Sequence, residues 1–311
     1  MAEDATLRRR PFGQTGILAP PLCLGCAPLG DMPRTFNYRV PEERALATVR
    51  AAFASPMNYL DTSNSYSNGE SERRIGLVLR ELGGVPAGAI VQTKADRDPA
   101  TGDFGGPRMR RSLEESLARL GLDRLDIVFL HDPEQAPFEE LMAPGGAVET
   151  LQALQREGII GHLGVAGGPI DLLMRYVETG AFAAVLTHNR YTLLDRTADP
   201  LLSFAAARGL AVLNAAPFGG GMLAKGPESF PRYAYRDAPA ALVERARQIA
   251  AICQEYAVPL PAAALQFSTR DPRITATVVG LTHPERIAQT LALYQHPIPA
   301  ELWSRLAPLG G

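Results

Sequence analysis

The sequence has little of several features that mark other classes of protein. Cysteine occurs only 3 times among 311 residues, and no stretch approaches the roughly 18 consecutive apolar residues of a membrane span. The formal net charge of −2 gives no reason to expect nucleic acid or an anionic membrane as a partner. Residues 8–10 are three arginines, but no apolar run follows them as in a signal peptide. We therefore expect a soluble, cytoplasmic protein.

The cysteines do not form a convincing redox or metal site. Cys23 and Cys26 make a Cys-x-x-Cys, a spacing found in thiol-redox and zinc proteins. Residues 22–26 are predicted to be a strand, however, and side chains three apart on a strand point to opposite faces. No second cysteine pair is present to complete a zinc site. We expect reduced, packed thiols and no bound metal.

Two common nucleotide-binding motifs are also missing. No Gly-x-Gly-x-x-Gly follows a predicted strand and opens a helix, and no Walker lysine motif occurs. A Rossmann or P-loop site is therefore not expected. Residues 217–223, Pro-Phe-Gly-Gly-Gly-Met-Leu, form a glycine-rich segment instead. It is either an ordinary surface loop or a clasp whose glycines let backbone N–H groups approach a pyrophosphate.

What the chain does contain is a repeated alternation of strands and helices. In the clearest predicted helix, residues 108–120, Met109, Leu113 and Leu117 share one face, and Gly121 stands where a C-terminal cap belongs. Short apolar segments predict eight strands, at residues 22–26, 58–61, 90–94, 127–130, 161–165, 183–186, 210–213 and 276–279. This order favours a single domain over residues 1–311, a (β/α)8 TIM barrel, with a doubly wound sheet as the main alternative. Turn glycines in residues 10–17 predict an N-terminal β-hairpin on the barrel floor.

Ionisable side chains follow three successive predicted strands. Asp61 ends one strand and Tyr66 lies in the polar turn after it, while Lys94 and His131 end the next two. In a βα barrel these strand ends surround the active site. Each residue alone has an ordinary alternative, as a solvated loop residue or a structural side chain. Their common order and spacing favour a shared site.

The pattern resembles the aldo-keto reductase superfamily. The matching stretches are Asp61-Thr62 with Tyr66, Thr93-Lys94, Gly-Leu-Asp-Arg-Leu-Asp at residues 121–126, and Leu-His-Asp-Pro at residues 130–133. The resemblance implies a barrel enzyme that uses NAD or NADP and acts on a small-molecule substrate.

The resemblance assigns the same four roles that hydride transfer requires. Tyr66 would be the general acid/base, which needs a phenol pKa lowered from about 10 towards neutrality. Lys94 would favour the phenolate, and Asp61 would keep Lys94 charged and aimed. His131 would bind the substrate oxygen.

Cofactor contacts are implied at the strand ends, in the glycine-rich segment and after the eighth strand. The expected residues are Gly25, Cys26, Asp61, Ala166, His188, Asn189, Pro217, Phe218, Gly219, Gly221, Leu223, Gly280, Thr282, Arg286 and Gln289. The chain departs from the superfamily at the carboxamide end: residues 166–168 are Ala-Gly-Gly where many members have Ser-Asn, and His188 follows the strand after which glutamine is usual. Residues 215–216 are alanines where an aromatic ring often stacks on the nicotinamide.

The cofactor preference is expected to favour NAD. Members that select NADP often place Lys and Ser at the positions of Gly280 and Leu281, and both are missing. Arg286 is the one cation left to meet a 2′-phosphate, unless it is only a solvated helix residue. We therefore expect NAD to be used well and NADP to be tolerated.

Three further stretches, residues 189–195, 258–267 and 297–303, are similar to the aldose 1-dehydrogenases, a group that includes L-fucose dehydrogenase and D-threo-aldose 1-dehydrogenase. This implies oxidation of the anomeric carbon of an aldose of the L-fucose, L-galactose or D-arabinose type to a lactone. Alternatives are a pyridoxal 4-dehydrogenase or general aldehyde reductase, a non-catalytic cofactor-binding subunit, and a metal-dependent hydrolase, which would need more ligands than His131 and His188. Pocket walls are expected from residues 98–107 and 226–237. The oligomeric state stays open.

Overall fold

A small antiparallel hairpin opens the part of the chain, residues 7–310, that the computed structural model describes. Its strands are β1 (Arg10–Pro11) and β2 (Leu18–Ala19). Phe12, between them, is fully buried in the cluster that fills the barrel interior and meets the ring of Tyr59 edge-on at 6.5 Å. The Arg10 guanidinium donates to the carbonyl oxygens of Thr269 and Ile274. The hairpin therefore closes the barrel floor, as the sequence predicts.

Eight parallel strands follow and close into a ring, which confirms the predicted (β/α)8 barrel. They are β3 (Leu22–Gly25), β4 (Tyr59–Asp61), β5 (Ile90–Ala95), β6 (Leu125–His131), β7 (Ile160–Gly167), β8 (Ala184–His188), β9 (Ala211–Ala215) and, after the short pair β10 (Arg232–Tyr233) and β11 (Arg236–Asp237), β12 (Ala276–Gly280). Each barrel strand pairs with the next, and β12 pairs with both β9 and β3. No edge strand is left in the ring.

Helices cover the outside of this barrel. They are α1 (Pro33–Phe36), α2 (Glu42–Phe53), α3 (Glu70–Leu82), α4 (Gly106–Leu120), α5 (Phe138–Met142), α6 (Ala147–Arg156), α7 (Ile170–Glu178), α8 (Asp199–Ala207), α9 (Met222–Lys225), α10 (Ala240–Glu255), α11 (Leu260–Thr269), α12 (Glu285–Gln295) and α13 (Ala300–Leu306). In α4 the predicted apolar face is largely buried and Gly121 caps the helix in the left-handed conformation. Within residues 7–310 no helix is both long and apolar enough to span a bilayer.

The period of two along each strand decides which side chains enter the barrel. Cys23 belongs to the interior cluster, whereas Cys26 packs in the outer layer between strands and helices, so the two thiols face apart. All three cysteines are free and buried, and no disulfide forms. In β6, Ile127 and Phe129 point inward while Val128 packs in the outer layer. The same inward phase continues to the strand end and reaches His131.

Candidate active site

The four predicted catalytic side chains meet at the C-terminal mouth of the barrel. Asp61, Lys94 and His131 occupy inward positions at the ends of β4, β5 and β6, because each stands two residues after an inward neighbour. Tyr66 reaches the same place from the turn between β4 and α3, where its N–H donates to the Ser63 carbonyl oxygen. All four line one cavity.

Lys94 links Asp61 to Tyr66. Its Nζ lies 2.8 Å from Asp61 Oδ2, 2.7 Å from the Thr62 carbonyl oxygen and 3.0 Å from Tyr66 Oη. An ammonium has three hydrogens, and these three oxygens are acceptors for all of them. The phenolic oxygen of Tyr66 thus accepts from Lys94, so its own hydrogen is free to point into the cavity. This is the geometry of a proton donor held ready by a cation.

The pKa of Tyr66 is shifted in the opposite direction to the one that the sequence analysis expects. Burial raises the pKa of Tyr66 above its ordinary value, and the neighbouring Lys94 lowers it without overcoming that effect. The predicted fall of the Tyr66 pKa towards neutrality is therefore wrong for the protein alone. Burial acts to lower the pKa of Lys94, but Asp61 and Tyr66 outweigh it and raise that pKa. The resting cluster is a neutral phenol beside a charged lysine–aspartate pair.

A second layer of buried polar side chains aims Asp61, and sequence reasoning missed it. Gln92 Nε2 donates to Asp61 Oδ1 at 2.6 Å, and the Tyr59 hydroxyl donates to Gln92 Oε1. Both Tyr59 and Gln92 are fully buried in the barrel interior. The alternation of side chains along a strand could have identified them. Tyr59 precedes Asp61 by two residues and Gln92 precedes Lys94 by two, so each points to the same side as its catalytic neighbour. These bonds fix the carboxylate so that its other oxygen faces Lys94.

His131 also has a carboxylate partner that was not predicted. Its Nδ1 lies 2.6 Å from Asp96 Oδ1, and Asp96 Oδ2 accepts from the Ser63 hydroxyl and, at 2.9 Å, from the Ser65 N–H. The other ring nitrogen, Nε2, is 3.6 Å from Asp132 Oδ1. The imidazole is therefore held at Nδ1, and Nε2 is a donor only when the ring carries both hydrogens.

The cavity above these groups has a volume of about 370 Å³, in the range of small-molecule sites. One wall comes from Met32, Thr35 and Phe36, which follow β3, and another comes from Tyr235. The rings of Phe36 and Tyr235 meet edge-on at 5.6 Å. Residues 98–107, which were expected to form a wall, do not line this cavity. Of residues 226–237, Tyr235 alone lines it.

A longer groove of about 700 Å³ continues from this cavity and shares Phe36, Tyr235 and Gly280 with it. Its walls carry several cations from different parts of the chain: Arg39, Arg44, Lys225, Arg232 and Arg286. Among the described residues, no carboxylate lines the groove. Arg286 is therefore not the only cation on the wall of this groove. A basic groove that leads to a small cavity fits the pyrophosphate and nicotinamide ends of a dinucleotide.

Most of the residues expected to contact the cofactor line these two spaces. Those on the inner cavity are Gly25, Asp61, Ala166, His188 and Gly280, and those on the groove are Pro217, Phe218, Gly221, Gly280, Thr282, Arg286 and Gln289. On the inner cavity, His188 Nδ1 is 3.1 Å from the amide nitrogen of Asn189. Burial lowers the pKa of His188, which favours its neutral form.

Four of the expected cofactor residues line neither space. Cys26 and Leu223 are fully buried, and Leu223 packs in the core beside α10. Asn189 is buried, and its side-chain nitrogen contacts His188. Gly219 is buried too, and a Cβ there would collide with the ring of Tyr233. The glycine at 219 is thus required by packing within the loop, whereas Gly221 faces the groove.

Nothing in the described part of the chain resembles a metal centre. Within residues 7–310, no group of three His, Cys, Asp or Glu side chains converges closely enough to hold a metal ion.

Comparison with known proteins agrees with this geometry. Residues 21–309 match the family model described as Aldo/keto reductase family. The chain is 31% identical to D-threo-aldose 1-dehydrogenase from a Pseudomonas species, with 94% of each chain covered. It is 30% identical to L-galactose dehydrogenase from Arabidopsis thaliana, over 91% of this chain and 86% of that one. It is 28% identical to pyridoxal 4-dehydrogenase from Microbacterium luteolum, over 97% of each.

Proposed function

Because the chain belongs to the aldo/keto reductase family, we propose that it is an NAD(P)-dependent oxidoreductase that oxidises the anomeric carbon of an aldose to the lactone. The observation that carries this proposal is the unbroken chain of contacts from Asp61 through Lys94 to Tyr66, with His131 beside it, at the floor of a cavity. A proton donor held by a buried ion pair favours catalysis over the alternative of a regulatory cofactor-binding subunit.

The residues of the mouth divide the work of this reaction. When bound, the nicotinamide supplies or accepts the hydride. Tyr66 transfers the accompanying proton: as phenolate it takes the proton of the anomeric hydroxyl, and as phenol it returns a proton in the reverse direction. Lys94 stabilises the phenolate through the 3.0 Å contact, and Asp61 keeps Lys94 charged. His131 Nε2 faces the substrate oxygen and orients it. These residues lower the activation barrier in two ways: they position the reacting groups, and they stabilise the charge that develops in the transition state.

A hydroxyl-rich substrate suits the polar part of the cavity. Thr35, Ser65, Asp132 and His188 line it together with the tetrad, and each can accept or donate a hydrogen bond. Asp132 lines the cavity beside His131 and has an uncommon backbone angle for a non-glycine residue, φ 45°. The similarity to D-threo-aldose and L-galactose dehydrogenases supports a substrate of the L-fucose, L-galactose or D-arabinose type.

Pyridoxal is the alternative that a separate observation favours. The Phe36 and Tyr235 rings meet at the cavity and give it apolar surface, against which a flat aromatic aldehyde could pack. A pyridoxal 4-dehydrogenase is among the similar proteins. A cyclic aldose is favoured over pyridoxal because it would use the hydroxyl-binding groups around the cavity.

The cations of the groove support the use of both cofactors. Arg286 remains the candidate for a 2′-phosphate, because it follows β12 beside Thr282 on the groove wall. Arg44 and Lys225 add positive charge from other elements, so NADP binding does not depend on Arg286 alone. NAD is used well and NADP is accepted more readily than the sequence suggests.

The test is a substrate screen that follows absorbance of the reduced cofactor. Purified protein is given NAD⁺ or NADP⁺ with L-fucose, L-galactose, D-arabinose or pyridoxal, at neutral and alkaline pH. Turnover of at least one aldose, faster at alkaline pH, is the expected result. Turnover of pyridoxal alone would replace the aldose assignment with the alternative. Tight cofactor binding with no turnover of any compound would contradict catalysis and favour a regulatory cofactor-binding subunit.

A further inference from the structure

Asp96 is buried next to the active site, and the tetrad chemistry does not account for it. Its side chain is 8% exposed and that of His131 is 12% exposed. One carboxylate oxygen lies 2.6 Å from His131 Nδ1, and the other accepts from Ser63 and Ser65. Its backbone is fixed as well, since the Asp96 N–H donates to Ser112 Oγ at 2.9 Å. A carboxylate bound at both oxygens and through its main chain has little freedom to leave the imidazole.

These contacts determine where the hydrogens of the imidazole lie. Asp96 Oδ2 is occupied by two donors, so Oδ1 remains to accept the hydrogen of His131 Nδ1. The Ser63 hydroxyl, 3.1 Å from the same Nδ1, donates its hydrogen to Asp96 and is therefore no donor to Nδ1, which lies closer to Asp96 Oδ1. The acidic and basic groups that face His131 are Asp96, Asp132, Glu134, Lys94, His188 and Tyr66. Three of these six groups are carboxylates. Asp96 lies at the Nδ1 of the ring and Asp132 at its Nε2.

We propose that Asp96 is a positioning residue that holds His131 as an imidazolium, so that His131 presents a charged Nε2–H donor to the substrate oxygen. This rests on the proposed function for its substrate, and on the contact between His131 Nδ1 and Asp96 Oδ1 for the ion pair. Burial opposes a charge on the ring, but Asp96 and Asp132 outweigh it, and the pKa of His131 lies above its ordinary value. Burial likewise acts to raise the pKa of Asp96, and His131 and Ser63 reverse that effect.

A charged His131 changes what the mouth does to a substrate oxygen. The hydrogen bond from an imidazolium is stronger than one from neutral imidazole, and it strengthens further as the oxygen gains negative charge. His131 keeps its proton throughout, and Tyr66 remains the group that gives or takes one. Lys94 acts on the oxygen through Tyr66, whereas His131 acts on it directly. Asp96 thereby increases the reaction rate through His131, without contacting the substrate.

The first test needs no substrate, so it is independent of the proposed function. The side chains of the five histidines are followed by ¹⁵N NMR across a pH titration in the cofactor-free protein, with His131→Gln identifying the His131 signal. The wild-type signal is expected to titrate above the ordinary histidine value. In Asp96→Asn, which keeps shape and removes charge, the titration is expected to move to lower pH. Asp126→Asn, which removes an exposed carboxylate from β6, the strand that ends in His131, is the control and is expected to leave the His131 titration unchanged.

Titration of wild-type His131 below the ordinary value would overturn the proposal, and this measurement stands even if Asp96→Asn fails to fold. An unchanged His131 titration in folded Asp96→Asn would overturn it equally.

The second test asks whether Asp96 acts through His131. Asp96→Asn is expected to lower kcat/KM at least about tenfold, because a charged donor is lost from the site. The same change made in His131→Gln is expected to have less than about a twofold effect, since the histidine it acts on is gone. Equal losses in both backgrounds would show that Asp96 supports the scaffold only. Cofactor dissociation constants, measured alongside, are expected to stay constant.

Discussion

The ammonium nitrogen of Lys94 lies 3.0 Å from the phenolic oxygen of Tyr66, in a cluster where Lys94 and Asp61 are buried and Tyr66 faces the cavity. At this distance the charge on one group controls the proton on the other. Because Lys94 is also bonded to Asp61 and to a backbone carbonyl oxygen, it cannot turn away when the phenol loses its proton. The site is thus arranged before any substrate arrives.

Tyr66→Phe should remove the proton path while leaving the ring in place. We expect turnover to fall by at least about 100-fold, the range for loss of a general acid/base, with cofactor affinity nearly unchanged. Steady-state kinetics and cofactor titration measure the two effects separately. Tyr256→Phe, on a tyrosine that lines neither cavity, is the matched control. Turnover of the Tyr66 variant within a few-fold of wild type would reject Tyr66 as the proton carrier.

Lys94→Met should move the pH dependence of aldose oxidation upward. Oxidation needs the Tyr66 phenolate, so activity rises as pH increases through the Tyr66 pKa. Burial holds that pKa above its ordinary value and Lys94 opposes the effect, so removing Lys94 raises the pKa further. The rising limb is therefore expected at higher pH, with a lower maximum. Lys225→Met, at the other lysine of the chain, should alter cofactor affinity and leave the limb in place. An unchanged limb in an active Lys94 variant would contradict this role.

Most of the candidate site residues that could be predicted from the sequence lie at strand ends. The sequence predicted a shared site for Asp61, Lys94 and His131 because each ends a predicted strand, and in the structure the alternation along β4, β5 and β6 turns all three inward. Asp96 continues the same phase two residues beyond Lys94, just after β5 ends, and was missed because loop residues lose the regular alternation. Its pairing with His131 depends on the neighbouring strand.

Loop packing and burial could not be read in the same way. Phe36 and Tyr235 come from loops far apart in sequence, and their contact depends on how both loops fold over the mouth. The Tyr66 pKa was misjudged because the effect of a neighbouring ammonium can be read from a motif, whereas the cost of burial cannot. Gly219 was assigned to the cofactor for a similar reason. Only the three-dimensional contact shows that it makes room for Tyr233.

Removing only one charge of the Asp61–Lys94 pair should destabilise the fold more than removing both charges. Both side chains are almost fully buried, at 5% and 1% exposure. Lys94→Met leaves a buried carboxylate without its cation, and we expect a loss of about 3–5 kcal/mol in the free energy of unfolding. Asp61→Asn combined with Lys94→Met removes both charges and keeps an acceptor for Gln92, so part of the loss should be recovered. Urea unfolding compares the two. A double variant less stable than the single one would contradict a dominant charge effect.

His131→Gln should destabilise the protein in a pH-dependent way. The folded-state pKa of His131 is raised, so its charge stabilises the fold fully below the unfolded pKa of about 6.5 and the contribution is lost as pH rises through the folded pKa. The difference in melting temperature between wild type and variant is therefore expected to be larger at pH 6 than at alkaline pH. His296→Gln, which lies outside both cavities, controls for loss of an imidazole. A difference that grows with pH would show that His131 is neutral in the fold.

Arg286→Ala should separate the two cofactors. If its guanidinium bonds the 2′-phosphate, the variant loses about 1.5–3 kcal/mol of NADP binding, the range for a hydrogen bond to a charged group, while NAD binding changes little. Fluorescence titration of both cofactors measures the difference. Arg44→Ala is the comparison, because it removes a cation of the same groove that belongs to a different element. Equal weakening of NAD and NADP by Arg286→Ala would mean that Arg286 packs on the adenine. A selective loss of NADP binding in Arg44→Ala alone would indicate that Arg44, at the start of α2, binds the phosphate instead.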